Sequence, residues 1–143
     1  MSRARWLAAL MLAAALAWAL AYLRDPPWLL HMTSGMRGSE TARDGARVRW
    51  MGGHASFFVP SQAHAVILPL RTTFDDDGDW PVTVTISLDD RTVDRVVLAD
   101  ASWQRRIIPL PAPGGRRTRR IDIRVDRTRS DNRGAAIGAI AIE

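Results

Sequence analysis

The chain has 143 residues, room for one domain of ordinary size and a short appendage, so a second hydrophobic core is excluded. It contains no cysteine, which rules out disulfides, thiolate catalysis, cysteine lipidation and cysteine-type zinc sites. Its basic residues are all arginine, and the resulting net charge of +5 is too general an excess to name a partner.

Arg3 and Arg5 precede an uncharged apolar run from Trp6 to Leu23, which Arg24, Asp25 and a proline pair then close. As a helix these eighteen residues reach roughly 27 Å, close to the thickness of a hydrocarbon core of about 30 Å. A globular helix apolar all round would need a far larger core than this chain can build. Trp6 and Tyr22 fall near the two ends, where amphipathic rings favour the headgroup layer. Residues 6–23 are therefore expected to form one transmembrane helix behind a basic cytoplasmic tip, residues 1–5. Arg3 and Arg5 hold that tip inside and send residues 24–143 across the cytoplasmic membrane, to the periplasm or the exterior.

A cleaved signal peptide is the alternative. Ala19-Leu20-Ala21 fits a small-x-small cleavage site, but the apolar run exceeds the ~7–15 residues of a signal core, which favours the anchor. Ala9, Ala13, Ala17 and Ala21 repeat at the small-xxx-small spacing that lets helices pack closely in lipid. Eight alanines among eighteen residues produce such a stripe easily by chance.

Residues 24–45 are rich in Pro, Gly, Ser, Thr and charge, and read as a tether or an irregular first strand. From residue 46 onward the apolar period becomes two. Val82, Val84, Ile86 and Leu88 alternate with hydroxylated residues, and Ile121, Ile123 and Val125 alternate with Arg120, Asp122, Arg124 and Asp126. Further strands are expected at 47–51, 55–59, 65–70, 93–98, 105–110 and 137–142. Asp89-Asp90 marks a tight hairpin, although type I′ geometry prefers Gly at the second position. About eight short strands divided by turn residues define an all-β class, a single antiparallel β-sandwich over residues 46–143.

"GGRRTRRIDIRVDRTRSDNRG", residues 114–134, holds eight arginines. Those that alternate with aspartates belong to the wet face of a strand, where opposite charges pair. Only "GGRRTRR" remains as an uncompensated loop cluster. A domain outside the cytoplasm does not meet nucleic acid, so no nucleic-acid partner is expected.

His31, His54 and His64 lack metal-ligand spacing, and neither a nucleophile elbow nor a phosphate loop occurs. No catalytic residue and no cofactor are expected. Asp75, Asp77 and Asp79 in "FDDDGDWP" are a weak calcium candidate that departs from the helix-loop-helix calcium pattern, with Gly78 too early and Ile86 in place of the bidentate Glu. The other reading is a solvated turn that keeps a sheet edge soluble. Trp50, Trp80 and Trp103 are a heavy load for the exported part. Exposed Trp rings in a sandwich stack on the apolar C–H faces of sugars while Arg and Asp bond the hydroxyls. Trp50, sharing the face of Val48, is expected in the core, and Trp80 and Trp103 stand at strand entrances.

Four stretches carry a resemblance: "GSETARDGARVRWMGGHASFFVP", "PVTVTISLDDRTVDRVVL", "WQRRIIPLPAP" and "RIDIRVDRTRSDNRGAAIGAIAI". Over residues 38–143 the chain resembles jelly-roll, galactose-binding-like β-sandwich domains of bacterial envelope proteins. It is similar to the accessory domain that follows the membrane-spanning part of mannosyltransferase-type glycosyltransferases. Two positions depart from that pattern: Asp89-Asp90 replaces Asp-Gly, and Ala135-Ala136 stands where a Gly is expected after Asp131-x-Arg133. Because no multi-span catalytic half precedes the domain, the resemblance implies an accessory sandwich on one membrane segment, without transferase activity. It singles out Glu40, Arg49, Trp50, Asp131 and Arg133.

The expectation is a non-catalytic, membrane-anchored module of envelope glycan recognition or glycosyltransferase assembly, with Trp50, Trp80, Trp103, Arg49, Asp131 and Arg133 as ligand-binding candidates. Its partners would be the bilayer and a glycan or membrane glycosyltransferase. The alternatives are a structural subunit of an envelope complex and an exported hydrolase built on the acidic loop.

Overall fold

The computed structural model describes residues 3–42, 44–72, 81–112 and 115–143. A helix, α1 (Arg3–Arg24), is followed by a single 3-10 turn at Pro27–His31 and then by nine strands among the described residues. These are β1 (Thr33–Thr41), β2 (Arg47–Pro60), β3 (Ala65–Thr72), β4 (Val82–Leu88), β5 (Arg91–Leu98), β6 (Gln104–Pro109), β7 (Thr118–Val125), β8 (Ala135–Ile137) and β9 (Ala141–Ile142). α1 buries nothing against the rest of the chain and is long and apolar enough to cross a membrane, a property that signal sequences share.

β2 organises the sandwich. Its first part, Arg49–Met51, pairs with β8, which leads on to β3 and β6. Its second part, His54–Pro60, pairs with β7, which leads on to β4 and β5. The result is two antiparallel leaves that share one long strand, with β1 laid along β2 and β9 along β3. Sequence reading divides β2 into 47–51 and 55–59, whereas the strand runs continuously through Gly52-Gly53, where its partner changes. The segment expected at 137–142 is two short strands, β8 and β9.

Alternation builds the core. Val84, Ile86 and Leu88 of one leaf meet Met51, Leu68, Leu70 and Ile137 of the other, while Thr83, Thr85 and Ser87 stay half-buried outside. Burying each such aliphatic side chain contributes about 1.5–3 kcal/mol. The β4–β5 hairpin turns at Asp89 (φ 47°) and Asp90 (φ 69°), the positive-φ pair that a two-residue type I′ turn requires. No glycine is present, and neighbouring groups fix both side chains. Asp89 accepts from the Arg120 N–H (2.9 Å) and from Arg119 Nε (2.8 Å), and Asp90 pairs with the Arg120 guanidinium.

Those contacts also account for the arginines of β7. Arg120 pairs with both Asp90 and Asp122, and Arg119 donates to Asp89 and to the Pro111 carbonyl. Asp122 departs from the expected wet face. It is buried at 7% exposure, with His54 Nε2 2.9 Å and Arg120 Nε 2.7 Å away.

The outermost strands of the two leaves are tied by a bidentate pair, Arg106 of β6 on Asp94 of β5, at 2.8 and 2.9 Å. The hydrogen bonds from Arg106 hold the Asp94 carboxyl below its ordinary value of 3.8. Burial alone would raise Asp122, but hydrogen bonds from His54 and Arg120 outweigh it and the net shift is again downward. A carboxyl with a lowered folded-state pKa stabilises the fold fully above its unfolded value, and that stability is lost as pH falls through the folded value. Thermal melts of the detergent-solubilised chain should therefore be flat from neutral pH to roughly pH 4 and fall below it. Asp94→Asn should lower the plateau and make the acid fall shallower.

Candidate functional site

The outer face of the β2–β8–β3 leaf gathers the distinctive side chains. Trp50, Ala136 and Arg71 are cross-strand neighbours in one row, so their side chains share a face. Trp50 does share the face of Val48, but that face is opposite to Met51's: Val48 is itself buried at 1% exposure, outside the main core cluster, and Met51 supplies that cluster's side chain. The expectation of Trp50 as a core residue is thus corrected to a half-buried position on the outside of the leaf.

Two similar assemblies flank the small, fully buried Ala136. In the first, the Arg133 guanidinium lies 5.1 Å from the centre of the Trp50 ring, and the indole N–H donates to Glu40 at 3.0 Å. In the second, the Arg71 guanidinium lies 4.7 Å from the centre of Trp103 and pairs with Asp44 at 2.7 Å. A hydrogen bond from the Ala46 N–H at 3.1 Å, followed by the Arg71 charge, keeps the Asp44 carboxyl below its ordinary range. Each tryptophan thus has a cation on its ring, and Trp50 has a carboxylate on its N–H as well. Guanidinium–indole stacks of this kind contribute about 0.5–1 kcal/mol at exposed sites.

Local sequence places Arg133. In "SDNRG" the Asp131 carboxylate accepts from the Arg133 N–H at 3.1 Å, and Asn132 adopts φ 60°, so the chain reverses and enters β8. Gly134 follows because a Cβ there would lie 2.5 Å from Val125 and 2.7 Å from the Gly52 carbonyl. β1 joins the same turn, with Arg37 donating to the Asp131 carbonyl at 2.6 Å. Arg49 donates to the Arg37 carbonyl and to Thr33 Oγ1 and so ties β1 to β2. Arg133 Nε is buried without a hydrogen-bond partner among the described residues. The Asp131 carboxylate is 3.5 Å away, within ion-pair reach but not aligned as a hydrogen bond.

Five positions singled out by sequence, Glu40, Arg49, Trp50, Asp131 and Arg133, therefore meet at one end of the sandwich. Trp103 joins them from the entrance of β6. Trp80 and the calcium candidates Asp75, Asp77 and Asp79 lie outside the described residues. Among the described residues no group of three acidic or histidine side chains could hold a metal ion. Sequence reasoning missed Asp44 and Arg71. The available signal was Arg71 directly after the apolar run "AVILPL", a cation at a strand end close to a predicted aromatic.

What the row offers chemically is a shallow platform. It has two half-buried indoles, guanidinium groups stacked on them and carboxylate acceptors.

The architecture defines the molecule as an antiparallel β-sandwich behind one long apolar helix. Among solved structures, it is similar to a family 35 carbohydrate-binding module from Clostridium thermocellum, with a TM-score of 0.50 and 10% identity over 76% of this chain and 88% of that one. It is also similar to a family two carbohydrate esterase from Clostridium thermocellum in complex with cellohexaose, at a TM-score of 0.51 and 5% identity over 78% of this chain but only 31% of the esterase. At these identities the shared property is the fold. No protein-family model matches the sequence, and no curated protein matches it either.

Proposed function

We propose that the chain is a non-catalytic glycan-recognition module of the bacterial cell envelope, held outside the cytoplasmic membrane by α1. The observation that carries this reading is the pair of arginine–tryptophan stacks either side of Ala136. Support comes from the fold, which it shares with a module described as carbohydrate-binding. Trp50, Trp103, Arg49, Asp131 and Arg133 would form the ligand platform, with Trp80 as a further candidate.

The layout fits an anchored receptor. Asp25, just beyond α1, is bonded to Thr118, and Thr118 pairs with Pro60 at one end of β2. Trp50 lies ten residues back along that strand, beyond the irregularity opposite Ser34 and Met36, so the platform and the helix end sit at different ends of β2. A glycan would be met away from the point where the sandwich joins the helix. A membrane glycosyltransferase handling that glycan is the partner such a module would serve.

The half-burial of Trp50 and its internal bond to Glu40 favour a second reading, a structural subunit in which the stacks only brace the leaf. Iodide and sugar quenching of tryptophan fluorescence separates the two. On the glycan reading, sugar shields Trp50 and Trp103 from iodide. On the structural reading, sugar changes nothing.

Anchoring is tested by fractionating bacteria that express the full chain. Full-length protein should remain with membranes after a high-salt wash. A soluble periplasmic chain beginning near Tyr22 would overturn the anchor and favour cleavage after Ala21.

A further inference from the structure

The arginine loop that sequence reading leaves uncompensated is folded back against the end of α1. Asp25 Oδ2 accepts from the backbone N–H groups of Arg117 and Thr118, and its Oδ1 accepts from the Thr118 hydroxyl. At 7% exposure this carboxylate is consumed by the junction and has little left to repel an anion. The clamp sets exposed Arg116 and Arg117 beside Arg24 in the last turn of the helix. Together they line an open cleft of about 360 Å³ whose other wall is Leu20 and Ala21. Neither Arg116 nor Arg117 has an ion pair to a carboxylate side chain among the described residues, whereas Arg119 and Arg120 of the same stretch are both paired.

We propose that this cleft binds the phosphate of an anionic phospholipid and so holds the sandwich against the membrane surface. The proposal rests on reading α1 as an uncleaved anchor. A helix that spans the bilayer up to Leu23 puts the cleft at headgroup depth, with its apolar wall toward the acyl chains and its arginines toward the phosphates. The side chains that follow fit the same depth. Trp28, Leu30 and Met32, in and after the 3-10 turn, are 50%, 39% and 50% exposed, apolar groups that the headgroup layer would cover. Three guanidiniums within one cleft recognise phosphate oxygens in the forked geometry that arginine offers and lysine lacks.

The test is native mass spectrometry of the full chain released from detergent micelles doped with phosphatidylglycerol or with phosphatidylcholine. Phosphatidylglycerol adducts should dominate. They should fall roughly fivefold in Arg116→Gln and on the order of twentyfold in the Arg116→Gln/Arg117→Gln double variant, since each juxtamembrane arginine contributes a factor of about five. Both positions are exposed, and an unchanged melting temperature would exclude misfolding as the cause. Equal adducts of the two lipids, or a double variant that retains them, would overturn the proposal while leaving the anchor intact. Displacement of the lipid by millimolar inorganic phosphate would also overturn it, by making the cleft a site for free phosphate. The same spectra give the chain mass, so a species cleaved near Ala21 would reveal the other failure, that of the anchor itself.

Discussion

Gly35→Ala should lower the stability of the sandwich by about 3 kcal/mol, or on the order of 15 °C in melting temperature for a domain of this size. Gly35 has φ +69°, in the left-handed region where a Cβ is unfavourable, and a Cβ built there would lie 2.0 Å from the His54 carbonyl oxygen. Backbone is what it meets, so no rotamer change relieves the clash. β1 must therefore lift away from β2 at the irregularity between Ser34 and Met36. That strand carries Glu40 and Arg37 to the platform, so the same substitution should also loosen Trp50 and the Asp131 turn. Gly38, in the same strand, has open space around its Cβ position and no positive φ. Gly38→Ala should stay within about 0.5 kcal/mol of wild type. Thermal melts of the two variants side by side separate the effect of close approach from that of glycine content.

Trp50→Ala should weaken glycan binding on the order of a hundredfold, the loss typical of truncating a central aromatic contact. Two effects combine: the indole surface disappears, and Arg133 loses the ring that orients it. Removing a half-buried ring also lowers stability, so Trp50→Phe is the companion variant. It keeps most of the ring area but cannot donate to Glu40, and should cost binding roughly tenfold or less. Trp103→Ala should reproduce the large loss if both stacks contact one ligand. Binding that falls for Trp50→Ala but not for Trp103→Ala would confine the ligand to the first stack.

Much of this fold is legible in the sequence because burial writes a period of two. β4 and β7 carry it openly, as Val82–Leu88 and Ile121–Val125 show. β1 carries none, since eight of its nine residues are exposed and only backbone pairing with β2 makes it a strand. The continuity of β2 was hidden by Gly52-Gly53, which read as a break but mark a change of partner. The hairpin at Asp89-Asp90 was legible, yet its tolerance of two positive φ values depends on Arg119 and Arg120, thirty residues away in sequence.

The candidate site was half legible. Parity placed Trp50 with Val48, but parity cannot say which face is the core. That choice follows from Met51, which fills the interior opposite Ala135. Asp122 alternates like its neighbours and is nevertheless buried, because His54 and Arg120 close over it. The convergence of Glu40, Trp50 and Arg133 came from the resemblance and not from periodicity. Asp44 and Arg71 join through long-range pairing that no local pattern encodes.

The most direct test of glycan recognition is a glycan array spanning bacterial envelope oligosaccharides, probed with the full chain in detergent and with Trp50→Ala/Arg133→Ala. The platform predicts a restricted set of bound glycans that the double variant loses while still melting cooperatively, at a lowered temperature. Absence of binding by the wild-type chain, or binding that the folded double variant keeps unchanged, would contradict the account and leave the stacks as braces of the sandwich.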